Sequence, residues 1–118
     1  MKSLVIYTGI SKKLSSYRLA VSLISFGEIY HGAYTYANPQ VHIETFRQFI
    51  APFRVLSVNE AIMERFGEVR AVLFRQGKII SDFDILIGAT ALYYNLTVFT
   101  FNIKHFERIP DLQIYKPN

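Results

Sequence analysis

Cysteine is absent from all 118 residues, which excludes a disulfide framework and a thiolate metal site and makes a reducing cytoplasm the expected setting. Internal repeats, low-complexity tracts and linkers are missing too, so residues 1–118 are expected to form one domain, large enough to bury a core. There is no glycine-rich phosphate loop and no Ser-His-Asp pattern, so nucleotide cradling and serine-type catalysis have no support. The opening MKSLVIYTGISKK has too short an apolar run for a secretory signal. Charge is absent from residue 85 to residue 103, a length at the lower limit for a membrane span. Gly88 and the Tyr93-Tyr94-Asn95 break divide that run, and residues 96–101 are β-branched and aromatic enough for a strand, so no membrane association is expected.

What is present is apolar and basic. Hydrophobic residues make up 51% of the chain and mean hydropathy is +0.20, high for a chain this short, so a partner surface is expected besides the core. Thirteen Lys and Arg against nine Asp and Glu give a net charge of +4, which permits nucleic-acid binding. Small basic clusters occur at Lys12, Lys13 and Arg18 and at Arg70, Arg75 and Lys78.

The pattern predicts a short buried strand at 19–22 and a helix capped by Ser22 or Ser25. A second helix starts at Pro39 and ends before Pro52, and a strand follows at 54–58. Residues 59–77 predict the clearest helix, with Ile62, Phe66, Val69 and Leu73 on one stripe and Gly77 as its stop. A buried helix after Ser81, a strand at 96–101, a helical turn at 104–107 and a strand at 113–115 complete the chain. Strands alternating with helices predict an α/β fold with a mostly parallel sheet covered on both faces. Sites in such sheets form beyond the carboxyl ends of the strands, which singles out Asp82, Asp84 and Asn102.

Asp84 in a first helical turn has Gly88 and Ala91 on its own side, four and seven positions on, and a face this small presses the carboxylate inward. Glu28 repeats the arrangement between Ser25 and Gly32. Two acids converging on one crevice would repel unless a cation sat between them, and oxygen-only donors suit magnesium or manganese. Each residue also has an ordinary reading: Asp84 meets the helix dipole, Asp82 is an N-cap, Glu28 lies on the surface and Asn102 closes a turn. His31, His42 and His105 have no spacing that implies a metal or a triad, and Tyr30 and Tyr34 read as packing or an interface. Glu60, Glu64 and Glu68 read as a solvated helical face.

At these residues a family resemblance enters. The stretch LAVSLISFGEIYHGA resembles the second strand and helix of PIN-domain nucleases, with Glu28 at the acidic position. GKIISDFDILIGATALYYNLTVFTFNIKHFERIPDLQIY resembles the carboxyl-terminal half of VapC-type toxins, and the likeness runs from about residue 19 to 115. It rests on Asp84 followed by Ile87-Gly88-Ala89, on Thr100-Phe101-Asn102, and on Phe106 with Arg108-Ile109-Pro110. The resemblance implies a three-layer α/β/α fold and a ribonuclease toxin of a type II toxin-antitoxin system. Such a toxin hydrolyses RNA phosphodiesters with Mg2+ or Mn2+, forms a homodimer and is held by a cognate antitoxin. It further implies Glu28 and Asp84 as metal ligands, Asp82 as a third acid and Asn102 as a weaker polar contact.

The sequence departs from the family at its start. The family's central first strand ends in Asp-Thr-Asn or Asp-Thr-Ser, and no such tripeptide occurs here. Leu4-Val5-Ile6-Tyr7-Thr8 would put Tyr7 in the aspartate's place. The twenty residues between Tyr7 and Glu28 are too few for the usual helix and loop, so the first strand is expected to be absent. Phe101 stands where an arginine is usual, and His105 where an acid often stands. These departures set an alternative beside the enzyme: a catalytically silent PIN fold acting as a protein-interaction module. A third reading is a fragment that folds poorly because it exposes sheet edges.

Overall fold

The computed structural model describes residues 5–9 and 19–116. Leu4 and the basic cluster Lys12, Lys13 and Arg18 lie outside the described residues. Strand β1 spans Ile6–Thr8 and β2 spans Leu19–Ser22, followed by helices α1 (Leu23–Ala33) and α2 (Pro39–Ile50). Strand β3 (Arg54–Leu56), helices α3 (Glu60–Gln76) and α4 (Asp82–Tyr94), strand β4 (Thr97–Phe99) and helix α5 (Ile103–Phe106) complete the order.

The helix boundaries follow local chemistry. Ser22 caps α1 by accepting from Ile24 N at 3.1 Å, so Ser25 falls inside the helix. Pro39 opens α2, where a missing N–H costs nothing. Asn59 caps α3 through Ile62 N at 2.8 Å, and Gly77 ends it at φ 67°, a conformation open to glycine without strain. Ser81, rather than Asp82, caps α4 by accepting from Asp84 N at 3.2 Å. Asn95 ends α4 at φ 57°, so the uncharged run is divided between the later turns of a 13-residue helix and a strand. Among the described residues no helix is long and apolar enough to cross a membrane.

The sheet order is β3-β2-β1-β4. Strand β2 is parallel to β3, and β1 lies antiparallel to both of its neighbours, so β2, β3 and β4 share one direction. Ile114 adds a parallel bridge to Val98, reducing the strand expected at 113–115 to a single pairing. One face of the sheet packs Val21 against Ile29, Phe46 and Ile50 of α1 and α2. The other packs Tyr7, Ala20 and Val98 against α3, α4 and Phe106. The expected three layers are therefore present.

The central slot departs from expectation. Instead of an absent first strand, Ile6–Thr8 occupies the position between β2 and β4, reversed in direction. Its middle residue, Tyr7, is fully buried and donates its hydroxyl to the carbonyl of Ile87 on α4 at 2.8 Å. It also hydrogen bonds with the side chains of Ser22 and Thr90. Gly88, one residue on, is where Ile109 presses against α4: a Cβ there would collide with Ile109 Cδ1. The small face of α4 thus receives the segment after α5 rather than bringing the helix closer to the sheet.

Two stability predictions result. Gly88→Val costs about 1–3 kcal/mol because Ile109 is buried and has little room to move. Gly67→Ala, in the open middle of α3, instead adds about 0.5–1 kcal/mol; urea titration reads both, and equal signs would overturn the packing account. Burial also holds the Tyr7 phenol far above its ordinary value, against the smaller effect of its side-chain hydrogen bonds. The folded chain keeps a proton that the unfolded chain releases above pH about 10. Tyr7 therefore contributes stability fully below that pH and loses it as pH rises, at about 1.4 kcal/mol per unit. Tyr7→Phe removes that part of the alkaline slope, measured by urea unfolding between pH 9 and pH 11.

Candidate active site

Because β2, β3 and β4 run one way, their carboxyl ends open on a common side, where α1 and α4 begin or pass. The reversed β1 brings its first residues there instead of its last. Continuing its register from the Ile6–Val21 pair sets Val5 opposite Ser22. Val5 is buried and apolar, so the central strand contributes no oxygen to this end of the sheet.

The oxygens come from the helices. On α1, Ser25 is fully buried, and its Oγ has no hydrogen-bond partner. Glu28, three residues on, is half-buried, and its Oε1 is buried and unpartnered too. This is not how a surface glutamate sits, because an unsatisfied buried oxygen costs about 1–3 kcal/mol. The space beside Gly32 is open, so no neighbour crowds this face of α1 as Ile109 crowds Gly88.

On α4, the Asp84 side chain is 12% exposed, and its Oδ2 lies 3.1 Å from His105 Nδ1. Asn102 Nδ2 reaches the same ring nitrogen at 2.8 Å, and Thr100 Oγ1 accepts from Asn102 N at 2.9 Å. One nitrogen cannot accept from an amide and donate to a carboxylate at once. The arrangement that satisfies all three has the Asn102 amide turned, so that an Nδ1–H is shared between Asp84 and the amide oxygen. His105, read from the sequence as an ordinary polar residue, is thus the link between Asp84 and Asn102. Its three-residue spacing from Asn102 across a short helix was the available signal.

Asp82 behaves differently. Its Oδ1 pairs with Arg70 Nε at 2.8 Å on the exposed side of α4, and Arg70 also lies 4.7 Å from the centre of the Phe74 ring. Its partner is a cation of α3, while Asp84 faces α5. Among the described residues no three His, Cys, Asp or Glu gather into a group that could hold a metal ion.

The Tyr7 hydroxyl relates the remaining two acids. It meets Ser22 at the start of α1 and Ile87 and Thr90 on α4. Asp84 is three residues from Ile87 and Glu28 six from Ser22, roughly 4.5 Å and 9 Å along the helix axes. The two acids thus stand on helices that pack together, Asp84 about one turn before Ile87 and Glu28 under two turns after Ser22. The donor set is all oxygen: an unpartnered Glu28 Oε1, an unpartnered Ser25 Oγ and a nearly buried Asp84. Such donors fit a hard divalent cation, which needs one or two carboxylates and otherwise takes water and phosphate oxygens. A surface hollow of about 330 Å³ between α3 and α4 is lined by Glu64, Arg65, Glu68 and Tyr93 and includes neither acid.

Known proteins share this framework. The PIN domain family matches residues 7–112. Ribonuclease VapC1 of Haemophilus influenzae is 33% identical over 109 residues, covering 92% of this chain and 81% of the relative. The tRNA(fMet)-specific endonuclease VapC of Salmonella typhimurium is 31% identical over 101 residues, covering 86% and 76%. Among solved structures, VapBC2 of Rickettsia felis bound to a DNA fragment from its promoter aligns with a TM-score of 0.78 at 28% identity, covering 84% of this chain and 74% of that one. VapBC-1 of nontypeable Haemophilus influenzae aligns at 0.76 and 32%, covering 82% and 72%.

The unpartnered Ser25 hydroxyl carries its own test. In protein stripped of metal, Ser25→Ala removes a buried group with nothing to bond and raises the unfolding free energy, on the order of 1 kcal/mol. A clear loss of stability would mean that Ser25 Oγ has a partner in solution.

Proposed function

The chain belongs to the PIN-domain family, and from that premise we propose that it is a metal-dependent endoribonuclease of the VapC type, the toxin of a type II toxin-antitoxin pair. The observation that carries the reading is the buried, unpartnered Glu28 Oε1 on α1, with a buried Asp84 on α4, a helix that packs against α1. Glu28 and Asp84 would hold Mg2+ or Mn2+, with Ser25 Oγ beside them. When bound, the ion lowers the pKa of a water and offsets charge building on the phosphate in an in-line attack. The chain's own part is positional. His105 and Asn102 fix the Asp84 rotamer, Thr100 fixes Asn102, and buried Val5 keeps an apolar residue at the central strand's end.

Exposed Lys78, Arg75 and Lys104 are available to phosphates, so RNA binding weakens with salt and is insensitive to sequence at those contacts. The proposal extends to a cognate antitoxin, supported by the VapBC complexes among the structural neighbours, and to a homodimer. Exposed Tyr34, Tyr36, Val41 and Phe49 around α1 and α2 are apolar surface of the kind a partner covers.

A second reading keeps the partner and drops the chemistry. It is favoured by the central strand, which brings buried, apolar Val5 and no carboxylate to this end of the sheet. Purified protein with Mn2+ and a structured RNA separates the two. The nuclease reading expects cleavage that falls to background in Glu28→Gln and Asp84→Asn, survives in Asp82→Asn, and is matched by calorimetric Mn2+ binding that the first two variants lose. Equal activity in wild type and Asp84→Asn ends it. No Mn2+ binding together with capture of an antitoxin establishes the silent module.

A further inference from the structure

We infer that Phe101, backed by Phe99 and Tyr115, is a stacking platform for an unpaired RNA nucleobase at the rim of the acidic site. The inference rests on the nuclease reading of Asp84 and adds the class of substrate group that the neighbouring surface receives. Phe101 is 82% exposed, the most exposed of the large apolar side chains described. Around it the chain is rigid. Thr100 is buried, and its hydroxyl fixes the next turn by accepting from Asn102 N. Phe99, two residues back, faces the same way as Phe101, with ring centres 6.1 Å apart and planes at 83°. Tyr115 stacks on Phe99 at 5.3 Å and 28°, held by the pairing of its N–H with the Val98 carbonyl. Three rings thus form a ladder with one face bare.

Two features favour a nucleobase over an apolar protein segment. The ladder ends one residue before Asn102, and Asn102 is joined through His105 to Asp84, so the bare ring adjoins the chain of contacts that leads to the carboxylate. Lys104, three residues on and exposed in the first turn of α5, has no ion-pair partner among the described residues. An aromatic face with a free cation three residues on suits one nucleotide, base on ring and phosphate on ammonium. A buried apolar segment would leave Lys104 unpaired and desolvated.

The sequence has no tryptophan, so Phe101→Trp introduces a single fluorescent reporter at a position too exposed to disturb the core. Short single-stranded RNA and an oligomer of equal length with abasic sugars are titrated in EDTA, where cleavage is off. The platform expects Phe101→Trp fluorescence to be quenched by the intact RNA and not by the abasic one. It also expects Phe101→Ala to weaken binding of the intact RNA on the order of tenfold while leaving the abasic affinity unchanged. Equal affinities for intact and abasic RNA, unmoved by Phe101→Ala, overturn the platform and leave the nuclease reading standing. Quenching by a co-expressed partner protein but not by RNA also overturns it and makes the ladder a partner surface. Failure of every form to bind RNA, together with absent cleavage, overturns both.

Discussion

The rest of the molecule depends on how the middle of the sheet is filled. Tyr7 sits in a three-residue strand between β2 and β4 and hands its hydroxyl to a helix carbonyl eighty residues away in sequence. That bond joins sheet to α4, and Ser22 at the same hydroxyl brings in the start of α1. The ring fills the layer between sheet and helix with Ile87, Ala91 and Val98, and an aromatic of this size buries about 150–250 Å². A smaller residue would leave a cavity under α4, and an ionised one would bury a charge among Ile87, Ala91 and Val98.

Direction matters as much as occupancy. A parallel central strand would end at the crevice and deliver its last side chain there, and the reversed strand delivers Val5. The acids must then come from helices alone, Glu28 from α1 and Asp84 from α4. Their surroundings differ in kind: Asp84 Oδ2 is met by His105 Nδ1, while Glu28 Oε1 and Ser25 Oγ have no hydrogen-bond partner. Unsatisfied oxygens of this sort persist where something else is meant to bond them. That asymmetry, one acid held in place and one left open, is what a site for an oxygen-seeking cation requires, and ordinary helix capping does not produce it.

Much of this was legible in the sequence because the signals were local. Ser22, Pro39, Gly77 and Ser81 mark helix ends by their own backbone chemistry, and the Ile62, Val69 and Leu73 stripe turns with the helix whatever lies across from it. What stayed hidden depends on partners distant in the chain. A three-residue strand has too few positions to show alternation, and nothing in Ile6-Tyr7-Thr8 states which way it will run. The expectation of an empty slot followed from counting residues to Glu28, and that count assumed a parallel strand. On α2, Ile50 takes the buried side and Phe49 beside it is half exposed. His105 gained its role only when α5 folded back on α4.

The two ends of the candidate site are therefore of different origin. Glu28 and Ser25 sit on a helix whose start is set by a serine cap. Asp84, Asn102 and His105 are held by contacts between α4 and the β4–α5 corner, which Ile109 locks against Gly88. A change at Gly88 would loosen that corner without touching a carboxylate, and Asp84 would lose the neighbour that orients it while Glu28 kept its place. The same corner carries Phe101 outward, since Thr100 must point in for its hydroxyl to reach Asn102. Just beyond the end of β4, Phe101 lies on the exposed side with Phe99. An arginine there would offer phosphate a charged bidentate fork, and a phenylalanine offers no charge but presents a flat apolar face. The geometry that orients Asp84 is the geometry that exposes the ring, so a substrate group resting on Phe101 and a phosphate facing Asp84 would be placed by one rigid corner of the fold.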